Sequence, residues 1–496
     1  MTEVTSVAVM RSSDEQTIKT SIPSRQLMWR AGCGIVESLS AWGGKVLVAC
    51  GTGNNAGDGY VVASILKARG VDVELLLLKE SFSPDGQYYF DMCVSQNVAW
   101  SVYNSQKIRG YDIIVDCILG TGFKGEVDGN IRALIESINE SGAYVVSADI
   151  NSGLNGDSGL GNACVKSDLT VSIGTTKSGH YLGRAKDVIG KLVNVDIGIE
   201  LIEKPYLLLE DRDVCAFLGK RDNHSHKGTY GYVTLIGGSL EYSGAIKLAN
   251  LSASAMRAGA GVVKLAVPRS LCSGIMPYIL ESTLYPLSEE NGSIKFDENE
   301  IQGALNGVKS VAVGMGLGQR GDNERVLKYI LENYEIPLVI DADGLNTLAK
   351  MDRQIIKNSR CTVVLTPHLK ELERLSGAPM AEIQQNPVEH AKAYARETGA
   401  ILLLKGATTV ITDGETVYLS STGCAGMATA GSGDVLSGIV AALCASSSEP
   451  LMAVAVGAYI NGKAGELAEA EYGDVSMVAS DTAKYIPLAI KAVREK

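Results

Sequence analysis

The strongest constraint in this sequence is a pattern that occurs twice: short apolar runs end in glycine-rich turns, and the turns open into helical stretches. The first instance is Lys45–Cys50 (KVLVAC), which runs into Gly51-Thr-Gly53-Asn54-Asn55-Ala56-Gly57-Asp58-Gly59 and a helix expected over 57–69. Apolar runs follow at 72–78, Ile113–Cys117, 143–149, 169–173 and 193–197, with a helix over 131–139. Strands that are apolar throughout are buried on both faces, and strand-helix alternation at this spacing gives a parallel sheet with helices on both sides. Ahead of the sheet, residues 12–40 read as helical, with Ser13 as N-cap and Pro23 separating a second helix over 24–39. A mixed-charge stretch over 199–222 reads as a connector, after which the alternation restarts. Strands are expected at 232–236, 262–267, 310–313, 337–340, 362–365 and 400–404, and helices over 243–258, over 323–333 and from Gly433. The chain therefore reads as two α/β domains, 1–210 and 211–496.

Charge and cysteine usage narrow the function. With 56 acidic against 45 basic residues the net charge is −11, which repels polyanions and speaks against a nucleic-acid partner. The ten cysteines lie singly, without CxxC or Cys/His ligand spacing, the usage of a reduced cytoplasmic protein. Every apolar run is broken by Ser, Gly or charge before it reaches membrane-spanning length, and no signal peptide is apparent, so no membrane partner is expected.

The turns carry the chemistry. Read loosely, Gly51, Gly53 and Ala56 satisfy a dinucleotide pattern with Glu80 as a ribose-binding acid, although glycines that merely close a turn fit equally well. Asn54, Asn55 and Asp58 are poor core residues, and with Asp116 and Ser152 they could surround a hard cation with oxygens. A second loop, Gly120, Thr121, Gly122, Phe123, Lys124, Gly125 and Glu126, follows Asp116, so two strand-end loops converge on one crevice. In the second half, Gly237-Gly238-Ser239, Gly314-Met-Gly316, Asp341-Ala-Asp343 and Thr366-Pro367-His368 each end a strand. His224 and His226 lack a third ligand nearby, which favours a role other than metal binding. The sharpest feature is Ala430-Gly431-Ser432-Gly433-Asp434, a glycine turn entering a helix. Its free N–H groups would neutralise a transferring phosphoryl group, and Asp434 could take the proton of a substrate hydroxyl.

Asn54-Asn55-Ala56-Gly57-Asp58-Gly59, Asp116 to Gly122, Asp149-Ile-Asn-Ser152-Gly153 and Lys177-Ser-Gly179-His180 together resemble the NAD(P)HX epimerase family, the YjeF N-terminal domain, over about residues 8–200. The resemblance implies a Rossmann-like three-layer α/β/α sandwich. It also implies that Asn54, Asn55, Ala56, Gly57, Asp58 and the loop Gly120 to Glu126 hold the hydrated dinucleotide. Asn55, Asp116 and Ser152 would hold K+, and Asp149 would meet the hydrated nicotinamide as the acid/base group, with Lys177 as a weaker candidate for charge stabilisation. His226-Lys227-Gly228, Gly237-Gly238-Ser239, Asp341-Ala-Asp343, Thr366-Pro367-His368 and Gly431-Ser432-Gly433-Asp434 resemble the ribokinase-like ADP/ATP-dependent NAD(P)HX dehydratases over about 212–494. That implies adenine nucleotide on Lys405, Gly406, Ala407, Thr408, Thr409 and Gly433, hydrated dinucleotide against Ala245, Gly316, His368 and Asp434, Asp434 as catalytic base, and Mg2+ on the nucleotide.

The resemblance implies a bifunctional repair enzyme acting on NADHX and NADPHX with ADP as co-substrate; a cytoplasmic homo-oligomer is expected, although no sequence feature fixes the oligomeric state. The sequence departs from the family pattern at Ala56, where Gly is usual and where a left-handed backbone would be costly, and at Asn151, which replaces a Pro and is expected to loosen the backbone around Ser152. In the second half Met315, Lys370, Cys424-Ala425 and Ala430 depart from the pattern, with nucleotide preference the property expected to suffer. Two other readings stand beside this one: an ATP-dependent kinase of a small vitamin-like alcohol with a non-catalytic dinucleotide-binding first domain, and a dehydrogenase built on the first glycine turn.

Overall fold

The computed structural model describes residues 1–253 and 257–495, and the chain forms two compact units, Glu3–Tyr206 and Leu207–Lys496, the latter including Met1–Thr2. The first unit is built on a seven-stranded, all-parallel sheet in the order Ala99–Val102, Asp72–Leu77, Lys45–Cys50, Ile113–Cys117, Tyr144–Ala148, Ser167–Ile173, Ile189–Val195. Helices Ser24–Glu37, Asn54–Ala68 and Pro84–Ser95 bury one face of the sheet around Leu27, Tyr60, Val62 and Phe90. Helix Gly129–Asn139 covers the other, through Leu134, Ile135 and Ile138. Strand order reverses between Lys45–Cys50 and Ile113–Cys117, so the loops leaving these two strands diverge and open a crevice at their carboxyl ends. Gly51 is required there because a Cβ would lie 1.9 Å from the Ile118 carbonyl oxygen.

In the second unit the parallel strands run Thr283–Leu287, Val262–Pro268, Tyr232–Ile236, Ser310–Val313, Pro337–Ile340, Thr362–Leu365, Ile401–Leu404. An antiparallel pair, Thr409–Thr412 and Val417–Ser420, extends this order. Helices Ser243–Ala253, Ser432–Ser446, Pro450–Tyr472 and Ala479–Arg494 bury one face, with Ile246, Ile439, Val454 and Ile486 inaccessible to solvent. Among the described residues no helix is long and apolar enough to cross a membrane.

Several expectations need correction. The first helix is Val7–Thr20 and its N-cap is Ser6, whose Oγ accepts from the Val9 N–H; Ser13 is buried within the helix and its Oγ donates to the Val9 carbonyl. Helix Asn54–Ala68 begins three residues earlier than expected, because Gly53 takes the extended N-cap conformation and places Asn54 and Asn55 in the first turn. Of the helix expected over 243–258, Ser243–Ala253 is helical and 254–256 lie outside the described residues. Strand Thr2–Thr5, helix Pro84–Ser95 and edge strand Ala99–Val102 were not expected, although Ser83-Pro84 is a legible helix start. The stretch 199–222 contains a strand, Tyr206–Leu208, and a helix, Asp211–Leu218. The antiparallel pair turns at Asp413-Gly414, a hairpin signal that a strand-helix reading passes over.

Candidate functional site

The crevice of the first unit is a cavity of about 530 Å³. It is lined by Asn54, Asn55 and Asp58 from the first turn of helix Asn54–Ala68, by Gly120, Thr121, Gly122 and Phe123 from the second loop, and by Asp149 and Lys177. Lys177 is 2 % exposed, and its Nζ donates to Asp149 Oδ1 at 2.6 Å and to the Ile173 carbonyl at 2.7 Å. Thr121 Oγ1 donates to Asp149 Oδ2 at 3.0 Å. Burial pushes the Asp149 carboxyl up, but the Lys177 ammonium, its hydrogen bond and the one from Thr121 outweigh this and hold the group below the usual carboxylate range. Asp149 also has a left-handed backbone (φ 62°), which a non-glycine residue keeps only where its surroundings enforce it. His180 supplies part of that enforcement. Its Nδ1 accepts from the Lys177 N–H, which leaves Nε2 as the donor to the Asp149 carbonyl at 2.7 Å. Burial and Lys177 lower the ring to about 4, so it is neutral at physiological pH. Asp58 has no such partner among the described residues, and burial together with Asp149 and Asp14 pushes its carboxyl well up.

Asn55, Asp116 and Ser152 meet beneath the second loop. Asp116 is inaccessible to solvent; its carboxylate accepts from Ser152 Oγ, from Ser152 N–H at 2.9 Å and from Ser147 Oγ at 2.9 Å. Asn55 Nδ2 donates to the Leu119 carbonyl at 3.1 Å, while its Oδ1 is buried without a partner. An orphaned amide oxygen in the same cluster as an enclosed carboxylate and a serine hydroxyl fits a hard monovalent cation.

The first unit's two sequence departures read differently in three dimensions. Ala56 is helical and buried, with no left-handed backbone, so its methyl carries no strain. Asn151 tightens its surroundings instead of loosening them: Nδ2 donates to Val165 O, Ser167 Oγ and Val188 O, and Oδ1 accepts from Thr170 Oγ1 at 2.6 Å. Replacing Asn151 by Ala is expected to lower the stability of this unit by about 3 kcal/mol, because it orphans several buried polar groups; urea titration would measure it, and a loss below 1 kcal/mol would contradict the account. Ala56 and Gly57 face the core, where a Cβ on Gly57 would lie 2.5 Å from Met28 Cε. Lys124, Gly125, Glu126 and Glu80 are exposed and do not line the cavity. The sequence reading missed Arg11 and Asp14, which the first helix brings to the cavity wall.

In the second unit the chemistry gathers at the carboxyl ends of the central strands. Lys405 follows Ile401–Leu404 and Asp341 follows Pro337–Ile340; Lys405 Nζ donates to Asp341 Oδ1 at 2.9 Å and lies 3.7 Å from Glu371 Oε2. Asp341 Oδ2 accepts from Ser437 Oγ at 2.7 Å, and the ion pair and these hydrogen bonds hold its carboxyl low against burial. A Cβ on Gly433 would sit 3.4 Å from both Lys405 Nζ and Asp341 Oδ2, so this pair abuts the N-terminal turn of helix Ser432–Ser446. Asp434 stands in the same turn. Burial and Asp341 push its carboxyl up to about 7, with Lys405 opposing.

Gly406, Ala407 and Thr408 form the loop after Lys405, and Thr409 begins the antiparallel strand. Gly316 packs against Ala245, whose Cβ is 3.0 Å from where a Gly316 Cβ would be. His368 caps helix Leu369–Ser376, its Nδ1 accepting from Lys370 N–H and Glu371 N–H, while its Nε2 lies 3.6 Å from Glu371 Oε2. Asp341, Glu371 and Ser437 are participants that spacing did not single out, although Asp341 and Glu371 lie in motifs that end strands. A broader recess of about 840 Å³ near Leu208, Cys215 and Tyr459 lies away from these turns, and the Tyr459 hydroxyl there is tied to Asp211.

The family described as YjeF-related protein N-terminus matches residues 24–179, and the one described as NAD(P)H-hydrate dehydratase matches residues 233–488. The bifunctional NAD(P)H-hydrate repair enzyme of Moorella thermoacetica is 36% identical, over 96% of this chain and 94% of its own. The chain belongs to the bifunctional NAD(P)H-hydrate repair enzymes. The member from Thermofilum pendens is 34% identical over 97% of this chain and 94% of its own, and the one from Escherichia coli is 32% identical over 88% and 83%. Among solved structures, the ADP/ATP-dependent NAD(P)H-hydrate dehydratase of Bacillus subtilis, co-crystallised with ATP/Mg2+, covers 58% of this chain and 99% of its own, with 28% identity and a TM-score of 0.50. The second unit is thus ribokinase-like in fold, as the order of its motifs implied, and membership of this family sets aside the vitamin kinase and the dehydrogenase.

Proposed function

We propose that the first unit interconverts the R and S epimers of hydrated NADH and NADPH, and that the second dehydrates the S epimer at the expense of ADP. The observation that carries the second half is Asp434, unpaired among the described residues and placed beside the Lys405–Asp341 pair at a helix N-terminus. Water added across the nicotinamide C5–C6 bond leaves a C6 hydroxyl, and hydroxide is a poor leaving group. Asp434 takes the hydroxyl proton as the oxygen attacks the terminal phosphoryl group of ADP, forming a phosphate ester and releasing AMP. The ring nitrogen lone pair then expels phosphate and C5 loses a proton, restoring the dihydronicotinamide. Lys405 and the N–H groups around Gly433 stabilise the charge on the transferring group, while Gly406 to Thr409 hold the nucleotide and Ala245, Gly316 and His368 the dinucleotide. Mg2+ would arrive on the nucleotide phosphates, whose charge it would screen.

In the first unit Asp149 is the acid/base group at the hydrated ring and Lys177 keeps it ionised. K+ on Asn55, Asp116 and Ser152 would neutralise the enclosed carboxylate and order the second loop. The protein is taken to be a cytoplasmic homo-oligomer. The test uses a mixture of R- and S-NADHX with Mg2+ and either ADP or ATP, following dihydronicotinamide absorbance. Full recovery faster than spontaneous epimerisation supports both halves, and the nucleotide that sustains it identifies the donor. Recovery that stops at the S fraction removes the epimerase.

A further inference from the structure

The cavity of the first unit has an unbalanced wall. Four carboxylates line it, Asp14, Asp58, Asp85 and Asp149, against two cations, Arg11 and Lys177. Lys177 is committed to Asp149 and to the Ile173 carbonyl. Asp85 is engaged by Ser24 Oγ and Arg25 Nε. Arg11 has neither a hydrogen bond nor an ion pair among the described residues, and its Nη2 lies 3.4 Å from the position a Cβ would take on Gly122. The helix that carries it is firmly seated. The Val7 N–H donates to Asp157 Oδ1 at 2.7 Å, Val7 Cγ2 fills the notch at Gly156, and Met10 Cε fills the one at Gly174. Helix Asn54–Ala68 starts in the same wall, at Gly53 and without a side-chain cap, so the N–H groups of Asn54 and Asn55 lack an intrahelical partner there.

Resting on the epimerase reading above, we propose that Arg11 is the cation that receives a phosphate of the dinucleotide in this cavity. A dinucleotide brings at least two negative charges into an acid-lined space, and the other lining cation is already used. A guanidinium offers a charged fork to phosphate oxygens at the edge of a loop that a side chain on Gly122 would obstruct. Because the group is distant in role from the acid/base chemistry at Asp149, its contribution falls on binding and not on turnover.

Epimerisation by the two-unit chain, measured without adenine nucleotide so that dehydration is idle, tests this with hydrated NADH and hydrated NADPH separately. In Arg11→Gln the KM is expected to rise about tenfold or more, with kcat within about twofold, and Arg11→Lys should recover part of the loss. An equal rise for both substrates assigns Arg11 to the pyrophosphate; a rise confined to hydrated NADPH assigns it to the 2′-phosphate. An unchanged KM for both substrates, or a loss of kcat at unchanged KM, would overturn the proposal. A wild-type chain that interconverts neither epimer would overturn the epimerase reading, and this inference with it, which separates the two failures.

Discussion

Replacing Asp434 by Asn is expected to abolish the recovery of dihydronicotinamide absorbance, lowering kcat by about 10³-fold or more while leaving adenine nucleotide binding intact. The amide keeps the size of the side chain and the helix turn but cannot take the hydroxyl proton. Burial and the Asp341 carboxylate set the group at about 7, with Lys405 opposing and Asp343 adding to the rise. Dehydration by the wild-type chain should accordingly fall about tenfold per pH unit below about 7, because the protonated acid is no base. The same shift makes a stability prediction of opposite sign. A carboxyl whose folded pKa exceeds its unfolded value costs nothing where both states are protonated, below the ordinary aspartate value of 3.8. The cost grows as the pH rises and is complete above about 7. Asp434→Asn should therefore be more stable than the wild type at pH 8, by about 2 kcal/mol after allowing for solvent screening of a partly exposed group. Thermal melts at pH 4.5 and pH 8 would show the gap opening. Near-normal turnover in this variant would remove Asp434 as the base.

Replacing Lys177 by Met should destabilise the first unit by about 3–5 kcal/mol and abolish epimerisation, because it strands a buried carboxylate. The cation is 2 % exposed and sits 2.6 Å from Asp149, whose side chain is 16 % exposed at the cavity wall. The double variant Lys177→Met with Asp149→Asn is expected to regain most of the stability and none of the activity, which separates the cost of an unpaired charge from the loss of chemistry. The pH dependence has a definite direction. Asp149 is held below the ordinary carboxylate range, so the pair stabilises at neutral pH and its contribution is lost as the pH falls through that depressed value. Without Lys177 the carboxyl protonates more readily, and the deficit of the single variant should shrink as the pH is lowered toward 4. A deficit that is flat with pH would mean that Lys177 acts by packing alone.

Much of the scaffold could be read along the chain. Lys45–Cys50, Ile113–Cys117, Tyr232–Ile236, Ser310–Val313, Pro337–Ile340 and Thr362–Leu365 are strands with the bounds their apolar runs predict, because a strand buried on both faces leaves an uninterrupted hydrophobic signal. Edge elements were less legible. Ala99–Val102 is exposed along its length and carries no such signal. Helix ends shifted where a glycine cap decided them, as at Gly53.

The order of the glycine turns, the acids at strand ends and the family they resemble were already present in the linear chain, since turns need particular residues at particular offsets and each of these signals is local. The pairing of charges was not local. Lys177 with Asp149, Lys405 with Asp341, and Arg11 beside Gly122 join residues far apart in sequence, and no spacing rule predicts which cation neutralises which acid. Nor could the composition tell that Ala56 is unstrained or that Asn151 knits three segments together. Burial decides these matters, because the energy of a charge or an amide depends on what replaces its water, and only packing settles that.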